Sequence, residues 1–509
     1  MASTPSTTSI EKAGAYTPDK ANADPELKVS SQAIPDTPHG MSEEELADYE
    51  ISPAEHRKLL RTLDLHIAPV VMGLYLIAFL DRANIGNAAV GGMTTDLNFP
   101  ANGLSVATSI FYVTYVCLET PATILLRTLR PSRMIPTTVV IWGAVVIGNG
   151  FANNYATVLV CRLLLGACEA ALSPCLFLYM TTFYQREELA LRMCYLFISS
   201  AISGIVGGLI AAGLLKMDGI ANLAGWRWLY IIEGIITVLV GFVVFFTMYD
   251  RFEDAKYLTD RQMFLMHVRQ AKSASYSKDE GFSWVEVRKA LTDPVIYLSG
   301  FIQMCIDVCL YGFATFLVVI VNQMGFDKIA SQGLTAPVYF VAAMVYLIGA
   351  LISDRYSMRY WLIFPLSFVT TLGYILLIIP VHSVAVNLLG CFFAAVGIYI
   401  AVGLHITWLG QNIAGYRKRS TSVGMQQTMG NIGGVIAGQI YRTKDKPHYT
   451  LGHAASLGFW VVGMIALTVE YLIWRNRNAA RDRMTEEEKQ AQDDAGVTGD
   501  HHHSFRYVL

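Results

Sequence analysis

Residues 161–169 read CRLLLGACE and place an arginine and a glutamate inside an apolar run of about residues 156–180. A run of this length can cross a bilayer as one α-helix. Seven residues are close to two helical turns, so Arg162 and Glu169 are predicted to share one helix face, about 10 Å apart along the axis. Each charge costs at least about 2.5–3.5 kcal/mol at mid-membrane unless it is paired or hydrated. The two charges therefore indicate either a structural ion pair between helices or a pathway for a solute and protons.

The composition shows that similar apolar runs continue along most of the chain. Of its 509 residues, 53% are hydrophobic and 15% are charged, whereas soluble proteins carry about 25% charged residues. Twelve apolar segments account for this difference and predict an all-α integral membrane protein with twelve transmembrane helices. The segments cover about residues 67–90, 104–126, 134–153, 156–180, 191–214, 227–249, 294–319, 334–353, 359–380, 384–408, 421–441 and 453–474.

Polar stretches at both ends and in the middle divide the chain. The predicted parts are a disordered cytosolic N-terminal tail (1–60), an N-terminal six-helix bundle (61–249), a cytosolic connector (250–293), a C-terminal six-helix bundle (294–474) and a cytosolic C-terminal tail (475–509). Lys and Arg are concentrated in one set of short loops, and such residues mark the cytosolic side of a membrane protein. Both termini and the connector are therefore predicted to be cytosolic.

Two of these loops carry charged motifs, YQREELALR at 184–192 and SDRYSMR at 353–359. Both resemble loops of the major facilitator superfamily, although Ser357 stands where that superfamily usually has glycine. The resemblance implies an ion-pair latch on the cytosolic side, which breaks when the two halves rock apart. The candidate gating residues are Arg186, Arg192, Asp354, Arg355 and Arg359.

Further motifs recur from about residue 55 to the end of the chain. They are FLDRANIGNA at 79–88, RLLLG at 162–166 followed by Glu169, GWRWLYIIEG at 225–234, GNIGG at 430–434 and FRYVL at 505–509. Together they resemble the fungal allantoate permease group of the anion:cation symporter family, within the major facilitator superfamily. Members of this group are proton-coupled importers of small organic anions such as nicotinate, allantoate and pantothenate. The resemblance therefore implies the major facilitator fold and proton-coupled import of a small carboxylate across the plasma membrane.

The resemblance also implies roles for four charged residues. In related organic-anion transporters, an arginine in the first span binds the substrate carboxylate, and acids in the first and fourth spans take part in proton coupling. Asp81, Arg82, Arg162 and Glu169 match those positions. We therefore expect Arg82 to hold the substrate, Glu169 to be the principal proton carrier and Asp81 to be a second titrating group. Arg162 is expected to tune Glu169.

The charges of these side chains suggest how a proton and an anion would be coupled. Asp81 and Glu169 each lie about 20 Å from the start of their spans, near the bilayer centre, and the four formal charges sum to zero. Protonation of Glu169 would leave a net positive charge, and an unpaired guanidinium could then bind a carboxylate through two hydrogen bonds. Proton and anion would thus favour each other's binding.

Other polar residues inside the spans allow two interpretations, function or ordinary helix packing. Asp307 is a further candidate for proton coupling. Candidates for substrate contact are Asn431, Tyr112, Tyr115 and Tyr311. Glu119 and Glu233 are expected to make interhelix or gate contacts. Pro174 predicts a kink in the fourth span, because proline cannot donate a backbone hydrogen bond.

Several other functions are compatible with parts of the sequence. The architecture also suits an exporter of a secondary metabolite or drug, although two central arginines favour a compact anion. A nutrient receptor that has lost transport would signal through its tails, which contain no recognisable docking domain. A passive channel is disfavoured because central ionic locks suit alternating access. We find no phosphate loop, metal-ligand cluster or nucleophile with a base, and predict no enzyme, cofactor, metal or nucleic-acid partner, but a monomer in the lipid bilayer.

Overall fold

The computed structural model describes residues 43–128, 130–277, 284–379, 383–442, 445–446, 448–495 and 499–509. Within these ranges every regular element is a helix. The α-helices are α1 (Glu43–Asp48), α2 (Pro53–Gly91), α3 (Met93–Asp96), α4 (Gly103–Thr128), α5 (Pro131–Gly150), α6 (Tyr155–Glu169), α7 (Leu172–Phe183), α8 (Arg186–Leu214), α9 (Gly225–Thr247), α10 (Asp260–Ser277), α11 (Trp284–Thr292), α12 (Pro294–Gln323), α13 (Lys328–Tyr356), α14 (Tyr360–Ile378), α15 (Val384–Asn412), α16 (Tyr416–Ile440), α17 (Thr450–Asp482) and α18 (Glu486–Asp494).

Ten helical stretches in the described ranges are long and apolar enough to cross a membrane. They are Pro53–Gly91, Pro131–Gly150, Tyr155–Phe183, Tyr195–Met217, Gly225–Thr247, Pro294–Gln323, Lys328–Ser353, Tyr360–Ile378, Val384–Asn412 and Thr450–Asp482. Gly103–Glu119 of α4 is apolar but shorter, and α16 is richer in polar residues. The prediction of an all-α membrane protein is therefore confirmed, whereas the count of twelve crossings and the cytosolic termini stay predictions.

Local sequence sets both ends of the first long helix. Pro53 lies in the first turn of α2, where its missing N–H would have had no partner within the helix. Gly92 follows the helix in a left-handed conformation with φ 113°, and its N–H bonds to the carbonyls of the last turn. The helix thus starts well before the predicted span, which begins at residue 67.

The N-terminal tail was predicted to be disordered over residues 1–60, of which residues 1–42 lie outside the described ranges. Residues 43–60 instead contain α1 and the first turns of α2. Contacts with α10 of the connector account for this order. The ring of Tyr49 lies edge-on to that of Phe264, with centroids 5.3 Å apart.

The fourth predicted span is broken into two helices. α6 ends at Glu169 and α7 begins at Leu172. Pro174 lies in the first turn of α7, and because it has no N–H it cannot bond to the carbonyl of Ala170. The sequence thus interrupts the helix directly after Glu169, which leaves this acid at a helix end inside the protein.

The long helices form two sets that pack against each other. Within the N-terminal set (α2 to α9), α5 packs along α9, and within the C-terminal set (α12 to α17), α12 packs along α16 and α14 along α15. The two sets meet where α8 packs on α13, α4 on α16 and α2 on α12. Small residues permit this approach, since a Cβ atom at Gly86 would overlap the carbonyl of Thr315, and one at Gly208 the side chain of Thr335.

The end of the chain is more ordered than the predicted tail at 475–509. α17 continues to Asp482, so this tail begins inside a helix. The chain then returns to the C-terminal set through residues 499–509, which we call the C-terminal segment. Tyr507 stacks on Trp474 with ring centroids 4.5 Å apart.

Polar contacts also hold the C-terminal segment. Trp408 Nε1 donates to the carbonyl of Val508 at 2.8 Å. Lys418 Nζ lies 2.7 Å from Asp500 Oδ2 and 3.2 Å from Asp293 Oδ2. Burial alone lowers the pKa of Lys418, but the hydrogen bonds and charges of the two aspartates outweigh burial and raise it above its usual value. The lysine therefore stays charged and joins α16, the start of α12 and the C-terminal segment.

Candidate substrate and proton site

The four charged residues predicted to form the site are all buried in the protein. The exposed fractions of Asp81, Arg82, Arg162 and Glu169 are 2%, 8%, 2% and 0%. α2 contributes the first two residues and α6 the other two. Buried charges are costly unless they are paired and hydrogen-bonded. The partners of each side chain therefore decide what the site can do.

Arg82 and Glu169 form the central ion pair. Arg82 Nε lies 2.7 Å from Glu169 Oε2. The second carboxylate oxygen, Oε1, is buried and has no hydrogen-bond partner among the described residues. The pair is therefore held through one oxygen of Glu169, and the other oxygen is available to bind a proton.

Aromatic rings surround the guanidinium of Arg82. Its central carbon lies 4.9 Å from the ring centroid of Phe79, 5.6 Å from that of Phe111 and 4.8 Å from that of Tyr115. A cation over ring faces is stabilised by their quadrupoles. Tyr115, a predicted substrate contact, is thus part of the wall around the predicted substrate-binding arginine.

Asp81 and Arg162 have their own partners outside the central pair. Trp142 Nε1 donates to Asp81 Oδ2 at 2.7 Å. Arg162 Nη2 donates to the hydroxyl of Tyr230 at 3.2 Å, and Nη1 to the backbone carbonyl of Asp81 at 3.5 Å. Among the described contacts, Arg162 forms no hydrogen bond or ion pair with Glu169. Arg82 is therefore paired with Glu169, whereas the described contact of Arg162 with Asp81 is to the backbone and not to the carboxylate.

A third acid, Glu233 of α9, lies beside Asp81. The amide nitrogen of Asn84 contacts Glu233 Oε2 and lies 3.5 Å from Asp81 Oδ1. Glu233 is 2% exposed, and its Oε1 has no hydrogen-bond partner in the described part of the chain. The sequence predicted an interhelix or gate contact for Glu233 and gave no role to Asn84. The three-residue spacing of Asp81 and Asn84, which places them on one helix face, was an available signal.

The remaining predicted substrate contacts join the two helix sets. The rings of Tyr112 and Tyr311 lie 4.6 Å apart. Tyr311 OH donates to Asn431 Oδ1 at 2.8 Å, and Asn431 Nδ2 lies 3.3 and 3.2 Å from the two oxygens of Glu119. Phe111 connects this group to the central pair, because its ring lies 4.9 Å from Tyr112. The structure thus brings these predicted residues together around a shared interface.

Asp307 lies in the C-terminal set and has a different environment. Gln303 Nε2, one helical turn earlier in α12, donates to Asp307 Oδ1 at 3.0 Å. The carboxylate is 3% exposed. Within the described contacts, no hydrogen bond links Asp307 to Arg82 or Glu169. Asp307 is therefore a separate buried acid.

Two of the predicted gating arginines make contacts inside one helix set. Arg192 of α8 binds Asp64 of α2, with Nη2 and Oδ2 2.6 Å apart. Arg359, just before α14, donates from Nη1 to the hydroxyl of Ser353 at 2.6 Å. Both contacts hold neighbouring segments of the same set together. In this conformation they do not bridge the two sets.

The other gating candidates are described only in part. Arg355 is exposed, and its guanidinium carbon lies 5.8 Å from the ring centroid of Tyr356. The side chains of Arg186 and Asp354 lie outside the described residues. The predicted gating role of these residues stays a prediction.

In the described part of the chain, two groups of His and Asp residues that involve the C-terminal segment have ligand atoms close enough to hold a metal ion. They are Asp493 with His502 and His503, and Asp293 with Asp500 and His501. Lys418 already binds both aspartates of the second group and offsets one of their two negative charges. Neither group includes a residue of the predicted transport site.

Comparisons with known proteins identify the family of this chain. The model of the Major Facilitator Superfamily matches residues 71–438. An uncharacterized transporter of Schizosaccharomyces pombe is 39% identical over 482 residues, which cover 95% of each chain. The high-affinity nicotinic acid transporter of Saccharomyces cerevisiae is 32% identical over 424 residues, covering 83% of this chain and 78% of that protein.

A solved structure supports the fold independently. The crystal structure of a bacterial homolog of the human lysosomal transporter Spinster, in an inward-facing and occupied conformation, superposes with a TM-score of 0.62. The match covers 83% of this chain and 98% of that chain at 14% identity, so it concerns the fold alone. Family and curated relatives are transporters and not enzymes. The chain therefore belongs to the Major Facilitator Superfamily and is a multi-pass membrane transporter.

Proposed function

We propose that this protein is a proton-coupled importer of a small organic anion in the plasma membrane, related to the allantoate permease group. The observation that carries the proposal is the buried Arg82–Glu169 pair, whose nitrogen and oxygen lie 2.7 Å apart within an aromatic enclosure. An arginine held by one carboxylate is a site that another carboxylate can take over.

The mechanism follows from competition for one guanidinium. Glu169 occupies Arg82 while it is ionised. When Glu169 binds a proton, the charge-assisted hydrogen bond weakens, and Arg82 becomes available to a substrate carboxylate, which it can bind through two parallel hydrogen bonds. Proton binding thus promotes anion binding, and by reciprocity anion binding promotes proton binding.

Asp81 is the second proton site of this proposal. Trp142, Asn84 and the backbone contact of Arg162 fix its position, and Glu233 lies beside it through the shared amide of Asn84. The carboxylates of Asp81 and Glu233 are neighbours, and the guanidinium of Arg162 is nearby. In this proposal the number of protons that the two carboxylates hold changes. In this scheme the charge of Arg162 acts through space on the carboxylates of both Asp81 and Glu169, because its contact with Asp81 is made to the backbone carbonyl.

The enclosure around Arg82 favours a planar aromatic carboxylate. Phe79, Phe111 and Tyr115 present rings to the guanidinium, and Tyr112 and Tyr311 extend the aromatic wall across the set interface. A pyridine ring offers flat faces for stacking. Similarity to a nicotinic acid transporter of yeast supports the same choice. Nicotinate is therefore the first substrate to test.

The contacts between the two sets suggest which side of the site is closed. Ser105 Oγ donates to the carbonyl of Tyr441 at 3.0 Å, and Gln332 Nε2 to that of Asn87 at 3.1 Å. These residues lie near the ends of α4, α16, α13 and α2 that are predicted to be extracellular. We infer that this conformation is closed toward the outside, as expected after substrate entry.

Uptake by transport-deficient yeast cells tests the proposal. Radiolabelled nicotinate, allantoate, pantothenate, biotin and a dicarboxylate are offered at external pH 5 and pH 7.5. We expect faster uptake of one anion at pH 5 and loss of uptake in Arg82→Ala. Arg227→Lys is the matched control, because the described side-chain contacts of Arg227 are with the far end of α5, through the carbonyl of Gly150 at 3.0 Å, and with the ring of Trp226.

Two results would contradict the proposal. One is transport of a neutral or cationic solute without a response to pH, which would favour a facilitator. The other is net efflux of a preloaded metabolite or drug under the same gradient, which would favour the exporter. Normal anion uptake by Arg82→Ala would reject the role of that residue.

A further inference from the structure

A continuous polar stripe lies inside the C-terminal set and reaches the candidate site at one end, through Tyr311. On α12, Ser299, Gln303, Asp307 and Tyr311 follow one another at four-residue intervals, so they lie on one helix face. Their exposed fractions are 0%, 0%, 3% and 7%. In a membrane helix, such a stripe is costly unless other helices supply partners.

A buried histidine and a buried glutamate supply those partners. His405 of α15 is 0% exposed and Glu470 of α17 is 1% exposed. His405 Nε2 lies 3.2 Å from Glu470 Oε2, and His405 Nδ1 lies 2.9 Å from Gln303 Oε1. Since Gln303 Nε2 donates to Asp307, one amide side chain connects the histidine to the second acid.

The geometry of Gln303 links the protonation of its two neighbours. A glutamine amide has a donor end and an acceptor end. With Asp307 ionised, the donor end faces the carboxylate, and the acceptor end requires an N–H at His405 Nδ1. With Asp307 protonated, the acid becomes a donor, which favours the flipped amide and a His405 Nδ1 without hydrogen. A proton on one group therefore disfavours a proton at the facing atom of the other.

The charged groups around His405 come from few elements. α12 presents Asp307 through Gln303, and α17 presents Glu470. α16 presents the amide of Gln426, 3.3 Å from His405 Nδ1, and no charged side chain among the described contacts. The pair His405–Glu470 is neutral when the imidazole carries two ring protons and the glutamate is ionised, and it is also neutral when the imidazole carries one ring proton and the glutamate is protonated. Gain or loss of a proton changes the buried charge.

We propose that His405, Glu470 and Asp307, connected through Gln303, form a second proton-binding site. It lies in the C-terminal set, apart from the site of Glu169 and Asp81 in the N-terminal set. The site rests on the proposed function, because a coupled transporter would use it to carry a proton in addition to that of Glu169. It lies close to the predicted cytosolic end, since Trp408 and Trp474 follow His405 and Glu470 by about one turn and contact the C-terminal segment. Under that cover His405 and Glu470 are buried in this conformation.

Histidine protonation can be measured directly in the full-length protein. The protein is labelled with ¹⁵N-histidine, reconstituted in lipid nanodiscs and followed by NMR between pH 5 and pH 8. The signal lost in His405→Gln identifies the residue. We expect this signal to change protonation in that range, and its titration to move in Glu470→Gln and in Asp307→Asn.

His453→Gln is the matched control. His453 is also buried in α17, at 2% exposure, but its polar side-chain contact among the described residues is the hydroxyl of Tyr441 at 3.4 Å, and none of these described contacts is with a carboxylate. This change should leave the titration of His405 unaltered. A His405 signal that keeps one protonation state from pH 5 to pH 8 overturns the proposal, as does a titration that is indifferent to both acid substitutions.

A transport measurement separates this site from the proposed function as a whole. In proteoliposomes with an internal pH dye, nicotinate-driven proton entry gives the number of protons per nicotinate. We expect Gln303→Leu, which cuts the connection without removing a titrating group, to lower that number. An unchanged number would contradict the second site. Absence of nicotinate transport by the unmodified protein would reject the substrate and leave the NMR result as the test of the site.

Discussion

Replacement of Glu169 by glutamine tests the proposed competition for Arg82. Glu169 is 0% exposed, and its Oε2 lies 2.7 Å from Arg82 Nε, so it occupies the guanidinium that the substrate carboxylate needs. Glu169→Gln keeps the size of the side chain and removes its charge. A hydrogen bond to a charged group contributes about 1.5–3 kcal/mol net. This free energy is what an incoming anion must offset at neutral pH.

The expected change in affinity follows from that figure. Because about 1.4 kcal/mol corresponds to a factor of ten, nicotinate should bind to Glu169→Gln about 10- to 150-fold more tightly at pH 7.5. Binding should also depend less on pH, since the principal group that must be protonated is gone. The variant should still exchange nicotinate across a membrane, but it should no longer accumulate nicotinate against a gradient.

Two assays on the purified full-length protein measure these effects. Equilibrium binding of radiolabelled nicotinate at pH 5.5 and 7.5 gives the affinities, and proteoliposomes with an imposed proton gradient give accumulation. Asp96→Asn is the control, because Asp96 is an exposed acid that accepts a hydrogen bond from Trp226 at 2.7 Å, far from the site. Weaker binding by Glu169→Gln, or accumulation equal to that of the unmodified protein, would refute the reasoning.

Three further substitutions test the surroundings of the site. Trp142→Phe removes the donor to Asp81 at 2.7 Å and should lower the free energy of unfolding by about 1–3 kcal/mol, which is measured as a lower unfolding temperature. An unchanged unfolding temperature together with an unchanged pH response of uptake would contradict this. Gly86→Val places atoms where the two sets touch, so uptake should fall at normal membrane abundance, and full uptake would show that this contact is dispensable. Tyr507→Ala removes the ring stacked on Trp474 and should lower the free energy of unfolding by about 3–5 kcal/mol, whereas Tyr507→Phe should lower it less. Equal unfolding temperatures of Tyr507→Ala and the unmodified protein would exclude a stabilising role of the C-terminal segment.

The features of the fold that the lipid bilayer imposes could be predicted from the sequence. A bilayer requires long apolar helices, and each run of apolar residues became a helix. Pro174 likewise predicted a kink in the span that contains Glu169, because proline lacks the backbone N–H donor whatever its neighbours are. Burial of the four charged side chains inside the protein could also be predicted, because exposure of a charge to lipid has a high free-energy cost.

The partners of the charged residues did not follow from the sequence. Spacing placed Arg162 and Glu169 on one helix face, but the rotation of α2 against α6 decides that Arg82 pairs with Glu169. Such rotations depend on side-chain packing over whole interfaces. The order of the C-terminal segment depends in the same way on Trp474, 33 residues earlier than Tyr507. A tail sequence read alone carries no sign of that contact.

The distribution of partners between the two sets links charge to closure. Arg82 and Glu169 belong to the N-terminal set, and Tyr311 and Asn431 to the C-terminal set, so an anion that contacts both draws the sets together. When the two sets close around the site, any net charge of the site becomes buried, and an unpaired buried charge costs several kcal/mol. If Glu233 keeps its proton, the four central charges sum to zero when the site is empty. An anion alone would make the sum −1, and a proton alone +1, so the neutral states that close readily are the empty site and the site holding both.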